Sequence, residues 1–514
     1  MLYPIGIQSF EYIRKNGYVY VDKTLLIHKL ATTGKHYFLS RPRRFGKSLL
    51  VSTMEAYFSG RKELFEGLEI SQKEQEWVKY PILHIDLSGK AYDSPDVLLK
   101  VLDNSLMNWE NQYGIKNLSD VPGLRLGNII EAASRQTGSQ VVILIDEYDK
   151  PIVDNLSNTE LSDTFSKQLQ GFYSAMKSND EFIKFSFLTG VTKIGKLNIF
   201  SGLNNLKDIS MDSRYTDICG ISEKDLKHYF KDSVNELAVA NDLTEEECYL
   251  KLAEMYDGYH FRQDSIGVYN PFSVLNTFDS KEFKEYWSET GTPSFLVELM
   301  KKTSYDVTRL TGDEVDSTLL SGVNSDLDNP VPFLYQAGYL TIKDYDKAYN
   351  LYKLGFPNRE VKDGFLNYLL NFYAPVQTES TNSLIARMSR DIRSGKAEGF
   401  LQKLEALFAK TSYQIQGNSE KDFQYAMYII LELMGEYVEV EKTTSEGRID
   451  ILLQTDSFIY VIEIKTDGSA EAALKQIEDK AYTRPFRSDS RKIFKIGVNF
   501  SSKTRCIDSW EIAG

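Results

Sequence analysis

The chain has 514 residues, 42% hydrophobic and 26% charged, with 60 Lys and Arg against 73 Asp and Glu for a formal net charge of −13. That length exceeds one core and implies roughly two to four domains, and the acidic balance excludes indiscriminate binding to nucleic acid, which needs an excess of Lys and Arg. Cys219, Cys248 and Cys506 are far apart without metal-ligand spacing, no apolar run approaches the roughly 20 residues of a membrane span, and the N-terminus has no charged-then-apolar signal. A reducing, cytoplasmic setting with no membrane partner is therefore expected.

In chain order, residues 17–22 (Gly-Tyr-Val-Tyr-Val-Asp) read as a short strand and Lys23 to about Thr32 as a helix. Phe38, Leu39 and Ser40 form an apolar strand that runs through Arg41-Pro42-Arg43-Arg44-Phe45 into Gly46-Lys47-Ser48. The helix opened there carries Leu49, Leu50, Val51, Met54 and Tyr57 at helical spacing. Tyr80 to Leu87 predict a buried strand, 95–113 and 124–138 helices, and Gln140 to Ile145 a buried parallel strand ending in Asp146-Glu147-Tyr148-Asp149. A helix at about 159–178 leads to a further strand, Ile183 to Leu188, with Thr189 at its end. Strands alternating with helices imply a parallel sheet covered on both faces.

From about 216 the pattern becomes helical with aromatic-rich turns, and 334–356 reads as a short helix followed by a hairpin, the outline of a winged-helix unit. Residues 375–385 are polar and fit a linker, a helix spans 385–410, and a separate α/β unit follows.

Gly-Lys-Ser at the start of a helix is where a nucleotide phosphate would sit. Backbone N–H groups would surround the β-phosphate, Lys47 would reach the β- and γ-phosphates, and the Ser48 hydroxyl would hold Mg²⁺. Arg43, Arg44, Phe45, Gly46 and Leu49 belong to the same ATP-binding segment. The usual first glycine is replaced by Arg41, which leaves the loop less freedom and more positive charge. Such a site needs a carboxylate for the metal and a base for water. Asp146 and Glu147 take those roles at the end of a buried strand, and Thr189 is placed to sense the γ-phosphate. His260 is read as a packed member of an aromatic cluster, and Asp86 as a cap for its own loop.

Gly6-Ile7-Gln8-Ser9-Phe10, Tyr20-Val21-Asp22-Lys23-Thr24, the arginine-rich loop, Asp146-Glu147-Tyr148-Asp149 and Thr189-Gly190-Val191-Thr192-Lys193 resemble the bacterial AAA-ATPase-like family. The likeness extends through Tyr256-Asp257-Gly258-Tyr259 and Tyr269-Asn270-Pro271-Phe272, covering most of the first 360 residues. It implies a P-loop fold and ATP as ligand, and it implies that Arg41 is a family trait.

Further on, Arg448 to Leu453 and Phe458 to Lys465 read as two strands joined by the turn Thr455-Asp456-Ser457. Side chains alternate along a strand, so Glu463 and Lys465 share a face that Asp450 can join from the neighbouring strand. Two carboxylates make a Mg²⁺ site, and an ammonium beside them can position a water for attack on phosphorus. Asp450, Glu463 and Lys465 are similar in arrangement to the PD-(D/E)XK nuclease superfamily over about 415–505. That resemblance implies a glutamate on an earlier helix, with Glu420 the candidate and Glu432 or Glu436 the alternatives, and a glutamine on the following helix, Gln476. Arg484, Arg487, Arg491, Lys492 and Lys495 cluster late in the chain, so nucleic acid, DNA foremost, is expected at this end.

The expected architecture is α/β throughout. Residues 1–215 form a P-loop parallel sheet with flanking helices, of the additional-strand kind; 216–374 are helical with a winged-helix reading; 375–384 are a linker; and 385–514 are a restriction-endonuclease-like domain. The expected activity is ATP binding and hydrolysis coupled to Mg²⁺-dependent phosphodiester cleavage, in defence or mobile-element biology, with a homo-oligomer open to such a chain. The alternative is a nucleotide-operated switch whose nuclease-like domain only binds a partner.

Overall fold

The computed structural model describes the chain except residues 117–118, 194–204, 289–293, 321, 323–328, 374–377, 412–419, 436, 445–446 and 505. It divides into two compact units, Met1–Tyr305 with Leu310–Lys362, and Asp306–Arg309 with Asp363–Gly514. The first takes in the whole of the expected ATPase domain and most of the expected helical region. Of the expected linker 375–384, residues 375–377 lie outside the described residues, and the remainder belongs to the helix Thr378–Arg393. That helix buries Ile385, Met388 and Ile392, and the polar residues read as a linker stand at its start.

In the first unit, β1 (His36–Ser40), β2 (Ile82–Asp86), β3 (Val141–Asp146), β4 (Ile183–Gly190) and β5 (Lys207–Asp208) form one sheet in the order β2-β3-β4-β1-β5. Every pairing in it is parallel. β4 thus lies between the loop-bearing β1 and β3, which is the additional-strand arrangement. All of β3 is buried, which accounts for its uninterrupted apolar run. Ser40 pairs with Gly190 and Asp86 with Asp146, so the carboxyl ends of these strands share one edge. Ligands of open parallel sheets bind at that edge.

Residues 17–22 make no strand. Their alternation is satisfied by packing instead: the Tyr20 ring stands edge-on to Phe10, and Val19 and Val21 lie against the helical core. Asp22 then accepts from the Thr24 backbone and hydroxyl at 2.8 and 2.6 Å, starting the helix Thr24–Thr33.

β6 (Ile221–Ser222) pairs with β7 (Val268–Tyr269) beside a core that includes Phe230, Leu237, Leu252, Tyr256 and Phe278. The helices around that core start where their sequence says they should. Ser222 with Asp225 and Thr244 with Glu247 form capping boxes, and Asn270 caps the helix Pro271–Ser280. The expected hairpin is present as β9 (Thr341–Asp346) and β10 (Leu351–Gly355), after the helix Val331–Ala337. A strand that periodicity did not reveal, β8 (Glu314–Asp316), pairs with β10 and completes a three-stranded sheet.

The second unit holds β11 (Tyr437–Thr444), β12 (Gly447–Gln454), β13 (Phe458–Thr466), β14 (Lys492–Ser501) and β15 (Cys506–Ala513), in that order across the sheet. Only β13 and β14 pair in parallel, and the helix Ala470–Asp479 makes the crossover between them. This helix lies close on β14: a Cβ added to Gly497 would come within 2.2 Å of the Ala470 carbonyl and 2.7 Å of the Leu474 nitrogen. Among the described residues no helix is long and apolar enough to cross a membrane.

Candidate active sites

β1 ends at the sheet edge, and the chain needs a left-handed turn to reverse into the helix Lys47–Phe58. Gly46 supplies it with φ 89° as the residue capping that helix, and Arg44 is also left-handed at φ 67°. Gly46, Lys47, Ser48 and Leu49 line a cleft of about 400 Å³, together with Glu147 and Lys150. Arg43 and Arg44 line the same cleft from the loop. Lys47 is buried, and its ammonium donates to the carbonyls of Arg41 and Pro42 at 2.9 and 3.0 Å. Burial lowers its pKa, opposed by Glu147, Asp146 and Asp149.

The Phe45 side chain points away from the cleft, which leaves only its backbone for the loop. The ring is buried edge-on against Tyr259 and Phe261, at ring distances of 4.7 and 5.8 Å. Arg41 departs from the expected surplus of charge. It is only 1% exposed, lies 3.9 Å over the Phe261 ring, and donates to the carbonyls of Ser40, Ser210 and Tyr215 at 2.9, 2.8 and 3.1 Å. The residue in place of glycine is therefore a buried brace.

Asp146 and Glu147 end β3 where the sequence placed them. Asp146 is buried and accepts the Glu147 backbone N–H at 3.1 Å and the Thr189 hydroxyl. Thr189 is fully buried with its hydroxyl on this carboxylate, which makes it a support for Asp146; it does not line the cleft. Glu147 adopts a left-handed φ of 53°, uncommon for a side chain of its size, and does line it. Burial raises its pKa, with Asp146 and Asp149 adding to the effect and Lys47 and Lys150 opposing it. The side chain is thereby biased toward accepting a proton.

Asp149 went unassigned in the sequence. It is buried and accepts from Thr192 N and Oγ1 at 2.6 and 2.8 Å and from Val191 N, tying the turn after β3 to the end of β4. Ile7, Gln8 and Phe272 also line the cleft. The signal for all of these lay in motifs already visible, since Asp149 ends Asp-Glu-Tyr-Asp and Phe272 ends Tyr-Asn-Pro-Phe. Asp86 accepts from Ser88 N at 2.8 Å, as a loop cap does. His260 is half-buried with Nδ1 2.9 Å from the Ser265 carbonyl.

In the second unit, folding joins residues 26 positions apart. The Asp450 carboxylate accepts from Ile464 N at 2.9 Å. Glu463 is 1% exposed, with Lys465 Nζ 3.4 Å from Oε1, and Oε1 also accepts from the Gln476 amide. Glu463 Oε2 is buried with no hydrogen-bond partner. Burial, reinforced by Asp450 and opposed by Lys465, raises the Glu463 pKa to about 7. A buried carboxyl oxygen without a donor, beside a second carboxylate, is a donor set that fits a hard divalent cation. The side chain of Glu420 lies outside the described residues, as does Glu436; Glu432 is buried in the helix Glu420–Leu433.

The strand order, the loop and the Asp-Glu pair define a P-loop ATPase-like unit, and the second sheet with its acid and lysine cluster defines a nuclease-like one. Residues 4–200 match the AAA-ATPase-like family, described as predicted AAA-ATPase, and residues 418–510 match the PD-(D/E)XK nuclease superfamily. The chain is also 35% identical over 515 residues to an uncharacterized protein in the vnfD 5′ region of Azotobacter chroococcum mcd 1, covering 98% of this chain and 97% of that one. It belongs to the family of that protein, AAA-ATPase-like at its N-terminus and PD-(D/E)XK nuclease-like at its C-terminus.

Proposed function

We propose that the protein is a cytoplasmic ATP-hydrolysing enzyme that cleaves nucleic acid, DNA foremost, with Mg²⁺ at its second site. Lys47 and the N–H groups of the loop would hold the ATP phosphates, and Ser48 and Asp146 would hold the metal there. Bound Mg²⁺ supplies charge neutralisation on phosphate oxygens and lowers the pKa of a coordinated water. Glu147, with its raised proton affinity and its place on the cleft, accepts the proton of the attacking water. Thr189 keeps the Asp146 carboxylate in position.

At the second site Asp450 and Glu463 would hold the metal. The Gln476 amide orients Glu463, and the Lys465 ammonium steers the water that attacks phosphorus. Water adds to the phosphodiester, and the displaced sugar oxygen leaves protonated. The observation that carries this reading is the Glu463 cluster, because burying an acid with one oxygen unpartnered opposes stability and is retained where a ligand needs it. Control of cleavage by nucleotide state, and a place in defence or mobile-element biology, fit the pairing of the two units in one chain.

The test is incubation of the full-length protein with plasmid, single-stranded DNA and RNA in Mg²⁺, with and without ATP. Strand cleavage is expected, reduced roughly 100-fold or more in Lys465→Ala and Glu463→Gln. Equal behaviour of wild type and Lys465→Ala on every substrate overturns the nuclease assignment.

A further inference from the structure

The arginine-rich loop touches the helical region at nearly every position. Arg41 lies over Phe261, and the Arg44 guanidinium lies 4.9 Å over the Phe272 ring. A Cβ on Gly338 would come within 2.6 Å of the Pro42 ring, so the ring lies against the Gly338 backbone where a side chain would not fit. Phe45 packs on Tyr259 and Phe261. One contact among these bears directly on the conformation of the loop backbone: the Trp287 indole Nε1 donates to the Arg43 carbonyl at 3.1 Å.

Trp287 is itself held. Its backbone N–H donates to Glu360 Oε1 at 2.7 Å, and its ring stands edge-on to Tyr339 at 5.1 Å. Glu360 has no exposed surface, and its other oxygen accepts the Ser273 hydroxyl at 2.7 Å. Ser273 sits in the first turn of the Asn270-capped helix whose Phe272 carries Arg44. A closed circuit thus runs from the loop through Trp287 and Glu360 to Ser273, and back to the loop through Phe272 and Arg44.

We infer that Trp287 is a positioning residue of the nucleotide site: it fixes the Arg43 carbonyl, and with it the orientation of the loop N–H groups, while Glu360 fixes Trp287. This rests on the loop binding ATP, as proposed above. A carbonyl held by an indole N–H cannot rotate toward the phosphates, where its negative end would repel them. The helical region thereby sets the readiness of the loop, and by linkage nucleotide binding must act back on Trp287.

The experiment compares full-length wild type, Trp287→Phe, Glu360→Gln, Glu360→Ala and Lys47→Ala by titration with a fluorescent ATP analogue in Mg²⁺, with tryptophan emission and thermal unfolding recorded alongside. Trp287→Phe keeps the aromatic ring against Tyr339 and removes only the N–H donor. It is expected to bind the analogue roughly three- to tenfold more weakly, the share of one hydrogen bond, with its nucleotide-free unfolding midpoint unchanged and the ATP-induced change in tryptophan emission lost. Glu360→Gln retains an oxygen for Trp287 N–H and should bind nearly as wild type, whereas Glu360→Ala should weaken binding as Trp287→Phe does. Wild-type affinity and a persisting emission response in Trp287→Phe overturn the inference. Equal binding by wild type and Lys47→Ala would instead overturn the nucleotide site on which it rests.

Discussion

Arg41 shows how a single residue can mislead when its type is known and its direction is not. An arginine in a phosphate loop suggests charge for the ligand, yet this guanidinium lies on Phe261 and is surrounded by backbone carbonyls. The cost of burying it is offset by carbonyl dipoles and a ring face, with no carboxylate among the partners described. Glu360 is another charged group buried close to the loop. Burial raises its pKa from 4.5 to about 7, with Glu285 adding to the effect and the donors Trp287 N–H and Ser273 hydroxyl opposing it. A raised carboxyl pKa means that the folded protein keeps a proton which the unfolded chain releases, so this group favours folding most below about 4.5 and loses that contribution as pH rises toward 7. Glu360→Gln should remove the slope: relative to wild type the variant gains stability between pH 5 and 7.5, on the order of 3 kcal/mol if the whole shift is felt. Denaturant midpoints of the two proteins at both pH values check this, and a pH-independent difference would contradict it.

Among the elements, β1 to β4 with the helices between them, and β12 with β13, were legible because period and length agreed, whereas β5, β11, β14 and β15 were not read. A fully buried run such as Val141–Asp146 has one reading, and Thr159–Ser178 shows its amphipathic spacing over twenty residues. The failures share a physical cause. Residues 17–22 have the alternation of a strand, but their side chains find cover without a pairing neighbour, and β8 is too short to show periodicity. Asp146 and Glu147 at the end of β3, and Asp450, Glu463 and Lys465 on β12 and β13, were readable because each sits at a fixed offset on a strand, whereas Gln476 came only from the resemblance to the nuclease superfamily. Trp287 was legible only as part of an aromatic-rich turn, since its partners Arg43 and Glu360 lie 244 and 73 positions away and the contact depends on packing alone. The crossover helix offers a test at this scale. Gly497→Ala drives a methyl group into the backbone of Ala470–Asp479, so it should cost about 1–3 kcal/mol and displace Gln476 from Glu463. Urea unfolding of the full chain reads the first effect. Unaltered stability would show that the helix shifts freely on β14.

At the scale of the whole chain, each of the two units gathers a cluster of polar and charged side chains, and each cluster is assembled by its own sheet. In the first, the carboxyl edge of β1, β3 and β4 gathers Lys47, Asp146, Glu147 and the supporting Thr189. In the second, β12, β13 and the helix after them gather the nuclease-like cluster. The arginine-braced loop is proposed as a working ATP site with its own base. Single-turnover ATP hydrolysis by Glu147→Gln in Mg²⁺, with binding measured on the same preparation, tests it most directly. Affinity is expected within about twofold of wild type, with hydrolysis slowed by roughly 100-fold or more, the usual contribution of a general base. Hydrolysis at the wild-type rate in Glu147→Gln would contradict it.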